Sequence, residues 1–151
     1  HTRFRNVTGV QTCALPIFFE PVNQISRARN AGAAAATGEW LVFIDADSYP
    51  GKDLLADVVR AIQSGVVIGG GATVAIDDAR AAMQRLVKWW NRLSRFARWA
   101  AGSFIFCEAA AFREIGGFSQ TLYAAEEIDL SRRLKRLARR RHRREIGRAH
   151  V

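Results

Sequence analysis

Cysteine is nearly absent from this chain: two residues in 151, Cys13 and Cys107. A disulfide framework or a cage of thiolates around a metal needs more than that. Both are excluded, and a reducing compartment is the default. Cys107 stands alone in an apolar segment, which fits a buried structural thiol rather than a nucleophile. No apolar run reaches the roughly 20 residues of a bilayer-spanning helix, and no segment has the pattern of a secretory leader. The expected location is therefore the cytoplasm, or the cytoplasmic face of a membrane. There is no internal repeat, which argues against a solenoid or propeller. The last absence is local: residues 132–144 carry nine Lys/Arg and no acid. The formal charge of +9 is thus a C-terminal property, because elsewhere 14 basic residues face 14 acidic ones. Such a stretch can hold nucleic acid or anionic lipid. The solvated end of a helix is the preferred reading, and nucleic acid is not expected as a partner. With 49% hydrophobic residues, the chain can build one domain around a modest core.

The ends differ in kind from the middle. Residues 12–17, Thr-Cys-Ala-Leu-Pro-Ile, can be encoded by ACG TGT GCT CTT CCG ATC. The reverse complement of that string, read in another frame, gives most of residues 145–151. Residues 7–11 fit an extension of the same string. One DNA adapter, read on opposite strands, thus accounts for both ends. Residues 1–17 and 145–151 are expected to be adapter-derived and are set aside. The natural piece is expected to be an internal fragment spanning 18–144.

Between these ends the pattern alternates. Residues 23–37 read as an Ala-rich helix closed by Gly38, and 40–44 as a buried strand. A loop over 45–51 is broken by Pro50. Residues 52–63 form an amphipathic helix with Leu54, Leu55, Val58, Val59 and Ile62 inward. Residues 66–76 read as a strand interrupted by Gly69-Gly70-Gly71. Residues 78–99 form a cationic helix or helix pair, with Arg85, Lys88, Arg92 and Arg95 on one face and Leu86, Trp89, Trp90, Leu93 and Ala97 on another. That helix can pack its Trp face on the sheet, the preferred reading, or lie at a membrane interface. A strand over 103–107, a short helix over 108–115, a Gly116-Gly117-Phe118 turn and a helix over 126–140 complete the domain. The last helix has acids in its first turns and cations at its end, as its dipole favours. Strand–helix–strand alternation implies a parallel or mixed α/β sheet.

The chemistry concentrates at Asp45-Ala46-Asp47, directly after the apolar strand Trp40-Leu41-Val42-Phe43-Ile44. Two carboxylates with one small spacer can hold a hard divalent cation whose other ligands are phosphate oxygens and water. Ligands of open α/β sheets bind beyond the carboxyl ends of strands. A solvated turn is the bland alternative for such a motif taken alone.

Its context is more specific. Ala28-Arg29-Asn30-Ala31-Gly32 precedes it, followed by Gly38-Glu39 and the strand. Gly116-Gly117-Phe118, then Glu126-Glu127 and Asp129-Leu130-Ser131-Arg132-Arg133, come after. In this order and spacing the chain, over about residues 23–138, resembles the family 2 glycosyltransferases of the GT-A fold. The resemblance implies a partial GT-A fold: a mixed, mostly parallel sheet flanked by helices, with the N-terminal nucleotide-binding strand missing. Residues 18–22 then read as the remnant of a later strand. It implies a metal-dependent, inverting transfer of sugar from a UDP- or GDP-type donor to an acceptor hydroxyl. The fragment as it stands need not be active.

Carried over residue by residue, Asp47 would ligate Mg2+ or Mn2+ and Asp45 would contact the ribose or sugar of the donor. Arg29 and Asn30 lie near the nucleotide. Glu127 falls at the position of the base that deprotonates the acceptor, where the family usually has Asp after Glu. Glu126, Gly116, Gly117 and Phe118 would wall the acceptor pocket, with Asp129 and Arg133 supporting. Many relatives act on lipid-linked acceptors, which would give peripheral membrane contact through 80–99 and 132–144 a purpose. A sugar nucleotidyltransferase and a non-enzymatic Arg-rich binding module are the alternatives. The first would carry a Gly-rich basic loop after its first strand. The second would bind with a steep salt dependence that deleting 132–144 removes.

Overall fold

The computed structural model describes residues 18–72, 92, 103–143 and 147–148. The element order is α1 (Ile25–Ala35), β1 (Trp40–Ile44), α2 (Lys52–Gln63), β2 (Gly69–Gly71), β3 (Phe104–Glu108), α3 (Ala109–Glu114), α4 (Glu126–Arg140) and a two-residue β4 (Gly147–Arg148). The strands form one sheet in the order β1-β3-β2-β4.

β3 carries the fold. Its side chains alternate between faces, and Phe104 to Cys107 are all buried. Phe104 and Phe106 join Leu54, Val58 and Val67 under α2. Ile105 and Cys107 join Phe112, Phe118, Leu130 and Leu134 under the other helices. The sheet is thus covered on both faces, and burying a side chain such as Phe106 contributes about 2–3 kcal/mol. Burial also pushes the Cys107 thiol up to about 12, so the group stays protonated and unreactive at neutral pH.

The sheet is mixed, but it is not mostly parallel. β3 pairs antiparallel with both β1 and β2, and only the short β2–β4 contact is parallel. Strand–helix–strand order fixes the relative direction of β1 and β2, which do run the same way. It does not make them neighbours, and β3 enters between them. As a result β1 is an edge strand among the described residues. Leu41 is buried, while Val42 and Ile44 remain 44% exposed, so β1 is only half buried.

Local differences have similar causes. α1 ends at Ala35 with an extended Ala36, before Gly38 is reached. Leu54 and Val58 of α2 are buried, but Leu55 and Val59 are half exposed. The latter pair sits about 100° further round the helix, off the stripe that meets the sheet. The three glycines do not interrupt a strand; they are β2. A Cβ on Gly69 would lie 2.8 Å from the Phe106 carbonyl oxygen and 3.0 Å from the Cys107 Cβ, so close contact with β3 requires glycine there. Residues 18–22 form no strand. The cationic helix expected over 78–99 lies outside the described residues, apart from Arg92, as do 1–17 and most of 145–151.

The Arg-rich end of α4 is not simply a solvated tail. Arg143 Nη1 bonds Glu108, and its Nη2 donates to the carbonyls of Gly65 (3.1 Å) and Val67 (2.7 Å). Arg141 pairs with both Glu108 and Glu114. These contacts staple the helix end to the sheet. Charge-assisted bonds of this kind contribute more than neutral ones. Arg143→Ala should therefore lower unfolding stability in urea by about 1–3 kcal/mol. A wild-type midpoint would mean that the staple is dispensable.

Candidate active site

Two separate elements deliver acids to one guanidinium carried by a third. β1 ends at Ile44, and its extension is held by the Asp45 amide donating to the Ser103 carbonyl (3.0 Å). α4 begins with Glu126 and Glu127, whose negative charge suits a helix N-terminus. Ala125, just before them, adopts a left-handed φ of 61°. That conformation is costly for a residue with a side chain and turns the chain sharply into the helix. Arg29 of α1 lies between the two ends. Its Nη2 donates to Asp45 Oδ1 at 2.7 Å, and its Nη1 to Glu127 Oε1 at 2.9 Å and Glu126 Oε1 at 3.4 Å.

The Arg29 side chain is only 12% exposed. Burial opposes its charge, but the hydrogen bonds it donates to Asp45 and Glu127 outweigh that and hold its pKa above the ordinary value. Glu126 is buried, and a buried carboxylate needs such a partner. The guanidinium also lies over the Phe118 ring, 5.2 Å from its centroid, a cation–π contact that restrains the plane of the fork.

Phe118 is itself locked in place. Asn30 Nδ2 donates to the Phe118 carbonyl and Asn30 Oδ1 accepts from the Phe118 amide, both at 2.9 Å. The ring is 1% exposed and meets Phe43 edge-on at 5.1 Å. Gly116 and Gly117, at φ 78° and 69°, make the turn that delivers it. Gln24 adds a second strap, donating to the carbonyls of Gln120 (2.8 Å) and Leu122 (3.1 Å) in the loop before α4.

The residues singled out from the sequence fall into three groups, with Asp47 outside them. Arg29, Asp45, Glu126 and Glu127 come together. Asn30, Gly116, Gly117 and Phe118 form the layer directly beneath. Asp129 and Arg133 pair with each other one turn along α4 (2.7 Å), and Arg133 also donates to the Ile115 carbonyl (2.6 Å). Asp47 stands apart: it is exposed on the turn after β1. An open groove of about 360 Å³ runs from Arg29 along β1, lined by Gly32, Ala33, Ala36 and residues 40–44. Sequence reasoning missed Gln24 and the bridging role of Arg29. Gln24, and Arg29 toward Glu126 and Glu127, act across more than 90 residues of chain, and no local spacing encodes that.

Residues 15–115 match the family described as Glycosyl transferase family 2. The chain belongs to that family. Two curated relatives of this glycosyltransferase domain are named Pre-mycofactocin glycosyltransferase, from the CDC 1551 / Oshkosh and ATCC 25618 / H37Rv strains of Mycobacterium tuberculosis. Each is 24% identical over 135 residues, covering 81% of this chain and 29% of the relative. The chain therefore spans under a third of the length of these glycosyltransferases. No solved structure matches it. Among the described residues of this family member, no helix is long and apolar enough to cross a membrane.

Proposed function

We propose that this domain belongs to an inverting transferase that moves a sugar from a nucleotide-sugar donor to an acceptor hydroxyl, with Glu127 as the base and Asp47 as the metal ligand. The observation that carries the reading is the meeting of β1's Asp45 and α4's Glu127 on one guanidinium. It sets a donor-side acid and an acceptor-side acid a single side chain apart. Glu127 would accept the proton of the attacking hydroxyl, and Asp45 would contact the ribose or sugar of the donor. Asn30, Gly116, Gly117 and Phe118 would hold the floor of the acceptor side, with Asp129 and Arg133 steadying α4. As the resemblance to the family implies, the reaction would be a single displacement with inversion at the anomeric carbon, Glu127 serving as the one base.

The residues present fit a divalent cation. Asp47 offers an exposed hard oxygen donor on the turn after β1 and makes no ion pair with any described residue. No group of three or more His, Cys, Asp or Glu among the described residues is arranged as a cage. One or two carboxylates plus phosphate oxygens is the usual way a protein binds Mg2+, and Mn2+ takes similar ligands. Bound there, the ion would neutralise charge building on the leaving diphosphate. Asp45 is already committed to Arg29, which leaves Asp47 as the better ligand.

The test is nucleoside diphosphate release by the full-length protein with a panel of UDP- and GDP-sugars, with and without Mn2+. Asp47→Ala should cost at least about a hundredfold in metal-dependent turnover, some 3 kcal/mol of transition-state stabilisation. Full turnover in that variant would refute the metal role, and an anomer-retained product would refute inversion.

A further inference from the structure

The four contacts of Arg29 point to a task other than touching the nucleotide. A guanidinium is a rigid planar fork whose two outer nitrogens can hold two carboxylates at a fixed separation, which a lysine ammonium cannot do. Here Nη2 holds Asp45 and Nη1 holds Glu127, with Glu126 at the margin. The fork lies over Phe118, whose backbone Asn30 clamps at both its N–H and C=O. With both outer nitrogens engaged and only 12% of the side chain exposed, little of the group is left for an external anion.

We propose that Arg29 is a positioning residue that aims the Glu127 carboxylate and fixes it relative to Asp45, so that the acceptor base and the donor-side acid act in register. The proposal rests on the functional reading above, in which these two carboxylates serve the two substrates. Arg29 holds both carboxylates and prevents Glu127 from turning away from the attacking hydroxyl. A misplacement of about 1 Å at such a group can cost a hundredfold in rate.

The experiment compares wild type, Arg29→Lys and Arg29→Met in the full-length protein. It uses the nucleotide sugar that the wild type turns over, with UDP or GDP plus Mn2+ as the calorimetric probe. Arg29→Met should lower kcat about a hundredfold while donor KM and diphosphate affinity move by no more than about threefold, as expected where the alignment of the reacting groups is lost rather than a donor contact. Arg29→Lys keeps the charge but reaches one carboxylate at a time, so it should fall roughly tenfold short of wild type in kcat, again with donor affinity intact.

A rise in KM and in diphosphate Kd at unchanged kcat would make Arg29 a donor contact and overturn the proposal. So would wild-type kcat in Arg29→Lys, which would show that charge alone suffices. Should Arg29→Met fail to fold, Arg29→Lys still decides by the same split. A wild type that turns over no nucleotide sugar at all would remove the functional reading, and this proposal with it. An active wild type with an unaffected Arg29→Lys would remove this proposal alone.

Discussion

Glu127→Gln should lower the transfer rate by roughly 10²–10⁴-fold, the usual contribution of a positioned general base, while binding of nucleoside diphosphate with Mn2+ stays at the wild-type level. The amide has nearly the shape of the carboxylate and can still accept from Arg29 Nη1, which lies 2.9 Å from Oε1. What it cannot do is take the proton of an attacking hydroxyl. Arg29 retains Asp45 at 2.7 Å and the buried Glu126 at 3.4 Å, so its charge remains compensated and the fold should survive. Donor binding should be spared because Glu127 opens α4, whereas the exposed Asp47 assigned to the metal sits on the turn after β1. Glu127→Asp keeps the base and restores the residue usual at this place in the family, so its loss should be smaller. Single-turnover transfer measured beside calorimetric diphosphate affinity separates the two effects. An unaltered rate in Glu127→Gln would remove Glu127 from the chemistry.

The sequence was informative where the signal is local. Trp40–Ile44, Lys52–Gln63 and Glu126–Arg140 have the bounds that apolar periodicity and helix-end charges suggest. The GGF turn is legible because two successive left-handed residues call for glycine. Pairing is a different matter. Nothing in the residues 66–76 announces that Gly69–Gly71 is itself a strand, since the reason lies in the Phe106 carbonyl and Cys107 Cβ of β3. Likewise, alternation gave the direction of β1 and β2 but could not show that β3 enters between them. The acids of the site were visible one by one from their motifs. The guanidinium that joins them was visible only as part of an Ala-Arg-Asn string, because its partners lie 16, 97 and 98 residues away. The cationic end of α4 misled for the same reason. Arg141 and Arg143 look like free charge until Glu108, Glu114 and the carbonyls of Gly65 and Val67 are brought to them.

Gly117→Ala should destabilise the domain by about 3 kcal/mol, and its neighbour supplies the control. Both Gly116 and Gly117 are left-handed, at φ 78° and 69°, so each substitution carries a backbone penalty of about 1 kcal/mol. At Gly116 a new Cβ meets nothing within 4 Å, and that penalty should be the whole effect. At Gly117 it would lie 2.6 Å from Asn30 Oδ1 and 3.1 Å from two ring carbons of Phe112. Asn30 cannot swing aside freely, because its amide is held at both ends by the Phe118 backbone. Phe112 is packed against Phe43 and Phe118, with centroids 5.3 and 5.7 Å apart. Overpacking a locked site of this kind adds about 1–3 kcal/mol. The difference between the two variants in urea unfolding therefore isolates the steric part, and equal losses would show that the Asn30 clamp yields. Because Arg29 rests on the Phe118 ring, displacing that clamp should also disturb the fork that holds Asp45 and Glu127. Gly117→Ala is then expected to lose transfer activity at temperatures where it is still folded.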